Sequence, residues 1–359
     1  MIPAIGFLAY GPPAQDLMPA GRLRALLAEA ALQSAQLRFF AATDCDSPGR
    51  RINAAIWTAA GFIRATCPVP DVVVVLNRPR RPRDQGIAGW LARHCGIIDD
   101  RGPDKLELAT LLSAGSLARH VIPFAPLPAA DMRATLATWM ARREPCVVKP
   151  ANGQRGNSVF FPQPGSNGEW TLHKDNEALR LPAAVDLIRR RIAGRIARRP
   201  FLVQRYVTSR AADGRAADLR AHVQRGANGA WGLTRLYVRL GEAGFLVSNI
   251  SRGGYQGQAE PFLRQRRVRP AAALLAEAET LALGVAEAIE RHQGAPLSEL
   301  GVDLAIDEAD ALWLIEANVH PQSSLHEHDR AVRTIAYARH LAATPARPMA
   351  DTGCPVMAG

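Results

Sequence analysis

Apolar and polar residues in the first hundred positions alternate between two periods, one typical of strands and one typical of helices. Short apolar runs such as IGFLAY, LRFFAAT and DVVVVLNR predict buried strands. The segments RLRALLAEAALQSA and INAAIWTAAGFI, which lie between them, predict helices. Strands that alternate with helices in this way favour a small open parallel sheet with helices packed on it.

The pattern changes after Asp104. A predicted helix, DKLELATLLSAGS, is followed by the strand CVVKP, a Gly-rich loop, the strand SVFFPQP, a basic helix and the strand FLVQRYV. Three further strands, DLRAHVQR, WGLTRLYVRL and FLVSNI, are separated by the turn sequences GANGA and GEAG, which favour an antiparallel meander. A long helix then precedes a last hairpin. The chain is therefore predicted to be an α/β (α+β) protein.

The last predicted hairpin, GVDLAIDEADALWLIEANVHP, carries acidic residues on both arms. Its residues alternate with period two, and a four-residue turn would pair Asp307 with Leu312 and Asp303 with Glu316. Carboxylates about 5 Å apart repel each other unless a cation lies between them. Asn318 shares the face of Glu316, and three such oxygen ligands suit Mg²⁺. The alternative is an exposed hairpin whose acids only face water.

Composition narrows the class of protein. The chain has 359 residues, of which 48% are hydrophobic and 21% charged, as in ordinary globular proteins. No stretch approaches the length that spans a bilayer, and the N-terminus lacks the basic start of a secretory signal. The five cysteines are scattered without metal-binding or redox spacing. These features predict a cytoplasmic protein without a transmembrane segment, and they leave the oligomeric state open.

The net charge of +11 would suit a nucleic-acid partner. However, the arginines are spread along the chain, aromatic residues make up only 6%, and no zinc-finger, helix-turn-helix or ribonucleoprotein pattern is present. No nucleic-acid partner is therefore expected. Only three of the 44 basic residues are lysines, namely Lys105, Lys149 and Lys174. A lysine kept where arginine is otherwise preferred can hold a position that a planar guanidinium cannot fill.

The segment PCVVKPANGQRGNSVFF combines a strand, a lysine and a glycine-rich loop. The strand ends at Lys149, and Gly153 and Gly156 in the loop allow backbone amides to approach an anion, which Lys149 would also reach. The loop has neither the Walker spacing nor the dinucleotide fingerprint. A phosphate-binding loop is one interpretation, and an ordinary hairpin with a glycine turn is the other.

Together, VVKPANGQRG, FLVQRYV, DLR, VSNISRGG and GVDLAID with LWLIEANVHP resemble the motifs of ATP-grasp proteins, especially those of the YheC/YheD type. Tubulin-tyrosine-ligase-like enzymes share several of these motifs. The resemblance implies an ATP-grasp fold preceded by an open parallel-sheet pre-ATP-grasp domain. The implied segments are the pre-ATP-grasp domain at 1–103, a small lobe with the phosphate loop at 104–200, a large lobe with the metal site at 201–343, and a loose tail at 344–359.

The resemblance also implies roles for individual residues. The ATP phosphates would be bound by two lysines and a flexible loop, comprising Lys105, Lys149, Gly153, Gln154, Arg155, Gly156, Asn157 and Ser158. Adenine would be bound at the hinge strand by Gln204, Arg205, Tyr206 and Val207. The metal ligands would be Asp303, Glu316 and Asn318, which would hold Mg²⁺, as two ions, or Mn²⁺ in its place.

Arg220 would act near the transferred phosphate or the substrate carboxylate, since a guanidinium binds such groups through two hydrogen bonds. The alternative is an ion pair between Arg220 and Asp218 within one strand. Arg239 and residues 249–254 would line the acceptor side of the cleft. After Asn318, three histidines (His320, His326 and His328) are either a second metal site or surface and substrate contacts. Lys174 has no implied role.

The function implied by the resemblance is ATP-dependent ligation. ATP would phosphorylate a carboxylate, and an amine would attack the acyl phosphate to form an amide or peptide bond, with release of ADP and phosphate. The expected partners are a small-molecule or peptide carboxylate and an amine acceptor. One alternative is a nucleotide-binding coat or assembly scaffold without ligase activity. Another is a ligase that modifies a peptide or protein tail, which the positive charge would attract if the tail were acidic.

Overall fold

The computed structural model describes residues 2–153, 159–173, 177–248, 254–266, 268–323 and 325–344. Its N-terminal part is a seven-stranded sheet with helices packed on it. The elements are β1 (Ala4–Ala9), α1 (Ala20–Leu32), β2 (Gln36–Ala41), β3 (Cys45–Asp46), β4 (Arg51–Thr58), β5 (Gly61–Pro68), β6 (Val72–Val75), α2 (Pro82–Ala92) and β7 (Gly96–Ile98). The strand order is β3-β4-β2-β1-β6-β7, and β5 pairs with β4. The strands β2, β1, β6 and β7 run parallel, as the sequence predicts.

The segment INAAIWTAAGFI forms the hairpin β4–β5, so the predicted helix there is wrong. The two strands pair antiparallel along their whole length. Ile52 and Ala54 are buried whereas Arg51 and Asn53 are exposed, which is a period of two. Trp57 lies opposite Phe62, with ring centroids 5.0 Å apart. Cross-strand packing of large side chains thus overrides the helix propensity of the alanines.

The middle part of the chain forms two small antiparallel sheets. Its elements are α3 (Lys105–Ser113), β8 (Phe124–Leu127), α4 (Met132–Met140), β9 (Cys146–Pro150), β10 (Pro162–Pro164), β11 (Glu169–Leu172), β12 (Glu177–Arg180), α5 (Leu181–Ile196) and β13 (Phe201–Arg205). The sheet orders are β8-β13-β9 and β10-β11-β12. Trp170, Leu136 and Ile188 are among the residues that form one core between these sheets and the helices α4 and α5.

The last part is a five-stranded antiparallel sheet covered by a long helix. Its elements are β14 (Ala217–Arg225), β15 (Trp231–Leu240), β16 (Tyr255–Gln258), α6 (Ala259–Arg266), α7 (Ala271–Gln293), β17 (Glu299–Ile306), β18 (Leu312–Asn318) and α8 (Glu327–Ala343). The strand order is β16-β15-β14-β17-β18. The predicted strand FLVSNI is not a strand over its described residues, 245–248, and β16 takes the edge position instead.

The helix α8 returns to the N-terminal part of the molecule. Its residues Ala331, Ile335 and Ala338 are buried in one core with Phe7 and Phe39 of the parallel sheet. The boundaries expected at residues 103, 200 and 343 stay predictions. Among the described residues, every helix is too short or too polar to cross a membrane.

Candidate active site

One face of the five-stranded sheet is polar because polar and apolar residues alternate along its central strands. In β14, Leu219 and Ala221 belong to the core that contains α7. Asp218 and Arg220 lie on the opposite face, and strand pairing places Arg220 directly across from Asp303 of β17. The charged residues of three neighbouring strands therefore meet on one surface.

Asp303 and Glu316 are paired across β17 and β18, as the sequence predicts. The predicted turn is wrong by one residue, because Ile306 pairs with Leu312 and the loop is correspondingly longer. A bulge between Asp303 and Leu304 shifts the register back. The two acids thus face each other through two deviations from a regular hairpin that cancel.

Asp303 is held by two arginines. Its carboxylate accepts hydrogen bonds from Nε and Nη2 of Arg220, the second at 2.8 Å, and Nη2 of Arg239 lies 2.9 Å from Oδ2. Arg239 also donates to both oxygens of Asp218, at 2.6 and 2.7 Å. Burial alone would lower the pKa of Arg239, but Asp218 and Asp303 raise it well above its ordinary value. Arg220 therefore pairs with the neighbouring strand, and the alternative of a pair with Asp218 is not realised.

Glu316 is bound by a lysine and an amide. Nζ of Lys105 lies 3.1 Å from its Oε2, and Nδ2 of Asn318 donates to its Oε1 at 2.8 Å. Burial alone would raise the pKa of Glu316, but Lys105, Asn318 and Lys149 together lower it to about 2. Glu316 is therefore ionised at neutral pH, and it lies next to Asn318, another of the predicted oxygen ligands.

Lys105 owes its position to the start of α3. Asp104 caps this helix, since its carboxylate accepts hydrogen bonds from the backbone N of Leu106 and of Glu107, each at 2.9 Å. The Glu107 carboxylate accepts a hydrogen bond from the backbone N of Asp104 at 2.8 Å, which completes a capping box. The cap fixes Lys105 as the first helical residue, and its Nζ donates to the backbone oxygen of Gly153 at 3.0 Å.

An open cleft of about 280 Å³ lies between the middle sheet and the five-stranded sheet. It is lined by Lys105, Leu108, Ala109, Val121, Lys149, Leu202, Gln204, Leu314 and Ile315. Lys149 is buried at the end of β9. Burial and the neighbouring Lys105 lower the pKa of Lys149 to about 8, against the opposing effect of Glu316. The structure thus brings both predicted phosphate-binding lysines to one apolar-walled cleft.

The four predicted hinge residues separate in the structure. Gln204 is buried and lines the cleft. The guanidinium of Arg205 instead lies over the ring of Trp313, 4.4 Å from its centroid. The hydroxyl of Tyr206 donates to the backbone oxygen of Leu246 at 2.9 Å. Val207 is half-buried just beyond β13. Gln204 is therefore the only one of these side chains that lines the described cleft.

Part of the predicted phosphate loop lies outside the described residues, as do Lys174 and residues 249–253. The loop residues concerned are Gln154, Arg155, Gly156, Asn157 and Ser158. Gly153 is described, and a Cβ there would lie 3.2 Å from Pro150 and 3.7 Å from Nη1 of Arg199. The start of the loop is therefore close to the arginine that follows α5.

The sequence reasoning missed a buried polar cluster beside the site. Nδ1 of His222 lies 3.0 Å from Nε2 of His326, and both oxygens of Glu299 accept hydrogen bonds from Arg330. Burial is the main cause that lowers the pKa of both histidines, that of His326 to about 4. The signal for His222 was present, because alternation in DLRAHVQR places it on the face of Arg220.

His320 lies at a second cavity, of about 390 Å³, with Asp100 and Glu299. Ligand atoms of these three residues lie within 4.8 Å of one another. However, Arg330 engages both oxygens of Glu299, and the backbone N and Oγ of Ser298 engage those of Asp100. Both acids thus accept hydrogen bonds from the protein, as Asp303 does from Arg220 and Arg239, and the second metal site stays a prediction. His328 is exposed at the start of α8.

The structure brings together, at one cleft beside an antiparallel sheet, the lysines and the paired carboxylates that the resemblance to ATP-grasp proteins implies. The chain belongs to the YheC/D-like ATP-grasp family, whose family model matches residues 94–342. The expected ATP-grasp fold and the expected YheC/YheD type are thereby confirmed.

Two curated relatives come from Bacillus subtilis (strain 168). The endospore coat-associated protein YheD is 24% identical over 193 residues, which cover 50% of this chain and 40% of YheD. The endospore coat-associated protein YheC is 21% identical over 187 residues, which cover 51% of each chain. The chain thus spans about half the length, or less, of the curated relatives that it matches.

Solved structures show the same fold. D-alanyl-alanine synthetase A from Vibrio cholerae has a TM-score of 0.55 at 11% identity and covers 95% of this chain and 97% of its own. The match to D-cycloserine synthetase DcsG has a TM-score of 0.55 at 16% identity and covers 94% of this chain and 99% of DcsG. The match to N5-carboxyaminoimidazole synthetase from Staphylococcus aureus, in complex with ADP, has a TM-score of 0.50 at 16% identity. It covers 94% of this chain and 77% of the synthetase.

Proposed function

We propose that the protein is an ATP-dependent ligase that joins a carboxylate to an amine and releases ADP and phosphate. The observation that carries this proposal is the convergence of Lys105, Lys149 and Gln204 on one cleft, beside the paired acids Asp303 and Glu316. A phosphate chain needs cations, and a base needs an apolar slot with a few polar groups. This cleft offers both, and the ligase names of the similar folds accord with it.

The predicted metal ligands fit Mg²⁺ by their chemistry. Asp303, Glu316 and Asn318 supply only oxygen ligands from neighbouring strands, and Glu316 is ionised. Arg220, Arg239 and Lys105 already contact the two carboxylates, but a carboxylate has about four lone-pair sites and can accept a cation in addition. When bound there, Mg²⁺ would neutralise charge on the phosphates of ATP.

The residues of the chain would bind and orient the reactants. Lys105 and Lys149 would hold the phosphates as point charges, and Gln204 would contact the base. Arg220 and Arg239 would contact the carboxylate and the transferred phosphoryl group through their Nη1 groups, since Nε and Nη2 of both arginines are bound to Asp303 or Asp218. A carboxylate oxygen would attack the γ-phosphorus of ATP, and the bond between that phosphorus and the oxygen of the leaving ADP would break. The amine would then attack the acyl carbon, phosphate would leave, and the amine would lose a proton.

A second candidate is a nucleotide-binding scaffold without ligase activity. The observation in its favour is that both curated relatives are named as endospore coat-associated proteins. Such a scaffold would keep the cleft and the metal ligands for binding alone. It would bind ATP with Mg²⁺, but added carboxylates and amines would not change the rate of ADP release.

The test measures ADP release from Mg-ATP in the presence of pools of amino acids, small diacids and acidic peptides. Glu316→Gln serves as the blank, and Glu308→Gln, an exposed acid in the turn of the same hairpin, serves as the matched control. Stimulation by one pool in the wild type and in the control, but not in the blank, is expected. ATP binding without any stimulation would favour the scaffold, and failure to bind ATP would contradict both.

A further inference from the structure

One segment of the chain carries a large excess of positive charge, although arginines occur throughout. Residues 180–199 contain seven arginines and a single acidic residue, Asp186, which is a balance of +6 out of the total of +11. This segment comprises α5 and the turn that leads to β13. A local concentration of this kind attracts a polyanion more strongly than the same charge spread over the surface.

The structure exposes most of these arginines. The helix α5 buries Ala184, Val185 and Ile188 in the core of the middle part. Five exposed arginines lie on the outside of α5 and of the turn that follows it, and we name this set the α5 arginine surface: Arg189, Arg190, Arg191, Arg195 and Arg198. Apolar packing therefore holds the helix in place and leaves the cationic groups facing outwards.

The α5 arginine surface leads to the entrance of the nucleotide cleft. Nη1 of Arg199, the residue after this surface, lies 3.7 Å from the position of a Cβ on Gly153. Gly153 in turn accepts a hydrogen bond from Lys105, which lines the cleft. The backbone N of Ala151 donates to the oxygen of Pro200 at 2.9 Å, which fixes the two segments side by side. A chain bound along the arginines would thus reach the cleft within a few residues.

We propose that the α5 arginine surface binds an acidic segment of a polypeptide, and that this polypeptide is the substrate of the proposed ligase. The second part of the proposal depends on the proposed function, whereas the binding itself does not. The distance from Arg189 to Arg195 along the helix is about 9 Å, at about 1.5 Å per residue. An extended peptide covers that distance with about three residues, at about 3.3 Å each. A run of about three acidic residues would therefore span these arginines, and a run of about six would cover them with residues to spare at each end.

The surroundings of the surface favour a polypeptide over a nucleic acid or a membrane. Binding of single-stranded nucleic acid uses exposed aromatic rings for stacking, and binding to a membrane surface uses apolar side chains that insert. Among the described residues, the large exposed apolar side chains all lie outside residues 104–200. Two rings of this region are covered by its own arginines, with Arg142 over Trp139 at 4.3 Å and Arg143 over Trp170 at 5.8 Å. Charge complementarity alone is thus available, and acidic side chains supply it.

The test uses the full chain, without nucleotide, and a fluorescein-labelled hexaglutamate peptide whose binding is followed by fluorescence anisotropy. The triple variant Arg189→Gln, Arg190→Gln, Arg198→Gln removes three charges from the surface. A matched triple variant, Arg80→Gln, Arg81→Gln, Arg83→Gln, removes three charges from exposed positions on the N-terminal part. A labelled hexaglutamine peptide controls for binding that does not depend on charge.

We expect the first triple variant to bind hexaglutamate about tenfold more weakly, since each exposed charge contact contributes modestly, and the second to bind as the wild type does. Binding should also weaken as salt is added. Equal losses in both variants would show that only net charge matters, and would overturn the proposal. So would no binding of hexaglutamate by the wild type, or equal binding of hexaglutamine.

An oligothymidylate with the same number of charges tests the nucleic-acid alternative. If it binds more tightly than hexaglutamate and loses that binding in the first triple variant, the surface is a nucleic-acid site and the proposal is wrong. Failure of the ligase proposal is seen separately, because ADP release is measured on the pools described above. If hexaglutamate binds but no pool stimulates ADP release, the α5 arginine surface is a binding site for acidic peptides. The second part of the proposal, that the bound polypeptide is a substrate, is then wrong.

Discussion

Nζ of Lys105 lies 3.1 Å from Oε2 of Glu316, and this contact joins the first helix of the middle part to the last strand of the five-stranded sheet. Lys105→Met should lower the free energy of unfolding by about 1–3 kcal/mol, because a hydrogen bond to a charged group is lost. ATP should bind about tenfold more weakly, since one of the two cations that we propose bind its phosphates is removed. Chemical denaturation and titration with a fluorescent ATP analogue measure the two effects. Lys105→Arg, which keeps the charge, should lose less stability and less ATP affinity than Lys105→Met. Unchanged ATP affinity in Lys105→Met would contradict a phosphate-binding role.

Asp303→Asn should be strongly destabilising. Arg220 and Arg239 would lose their shared anionic partner in a buried setting, and breaking such an ion pair from one side costs about 3–5 kcal/mol. Glu308→Gln, in the exposed turn of the same hairpin, should change stability by less than about 0.5 kcal/mol. The midpoints of urea unfolding compare the two variants. A midpoint for Asp303→Asn equal to that of Glu308→Gln would show that the arginines find other partners.

ATP binding should weaken as the pH rises above about 8. The pKa of Lys149 is lowered to about 8 in the folded chain, so above that pH the side chain loses the proton that a phosphate requires. Affinity should fall towards tenfold per pH unit, and Lys149→Met should bind weakly with little dependence on pH in that range. Titrations with ATP between about pH 6.5 and 9.5, on either side of the pKa of Lys149, measure this change in affinity. An equally steep loss in Lys149→Met would assign the effect to another group.

The same shift has the opposite effect on stability. The folded pKa of Lys149 lies below that of an unfolded lysine, 10.5, so the unfolded chain binds more protons between pH 8 and that value. Stability contributed by Lys149 should therefore rise with pH across this window. Lys149→Met should lack this rise, which a comparison of urea unfolding at the two ends of the window reveals. A steeper rise in the variant would contradict the assignment.

Gly301→Ala should disturb the site from within the sheet. A Cβ there would lie 2.7 Å from Cβ of Pro321 and 3.0 Å from Nη1 of Arg220, so the arginine or the strand must move. The expected cost is about 1–3 kcal/mol in stability, together with loss of the proposed ligase activity. Gly194→Ala is the matched control, since an added Cβ in α5 meets nothing within 4 Å and should be neutral or stabilising. Thermal unfolding compares the two, and a Gly301→Ala variant as stable as the control would show that the sheet adapts freely.

The sequence predicted the site where chemistry and strand period agreed. Asp303 and Glu316 could be placed opposite each other by strand period, and Lys149 stood out before its glycine-rich loop, whereas Lys105 was implied only by the resemblance to ATP-grasp proteins; the structure places both lysines at one cleft. The turn was wrong because the bulge at Asp303 has no signature in the residues on either side of it. Two errors in register can cancel in the prediction of a pair while the loop between them remains misplaced.

The failures have physical causes. The hairpin β4–β5 was predicted as a helix because its alanines favour one, whereas pairing of Trp57 with Phe62 depends on a contact that no local propensity contains. The partner of Arg220 could not be chosen between Asp218 and Asp303 without knowing that β17 lies next to β14. Only the tertiary arrangement decides between two chemically equal partners.

The packing of α8 bears on how the chain is made. Ala331 and Ile335, near the end of the described chain, complete the core around Phe7 and Phe39 at its beginning. During synthesis α1 emerges early and covers part of this core through Leu26 and Ala30, whereas α8 emerges much later, so the core stays incomplete until then. A chaperone that shields apolar surface should therefore engage the nascent N-terminal part until α8 leaves the ribosome.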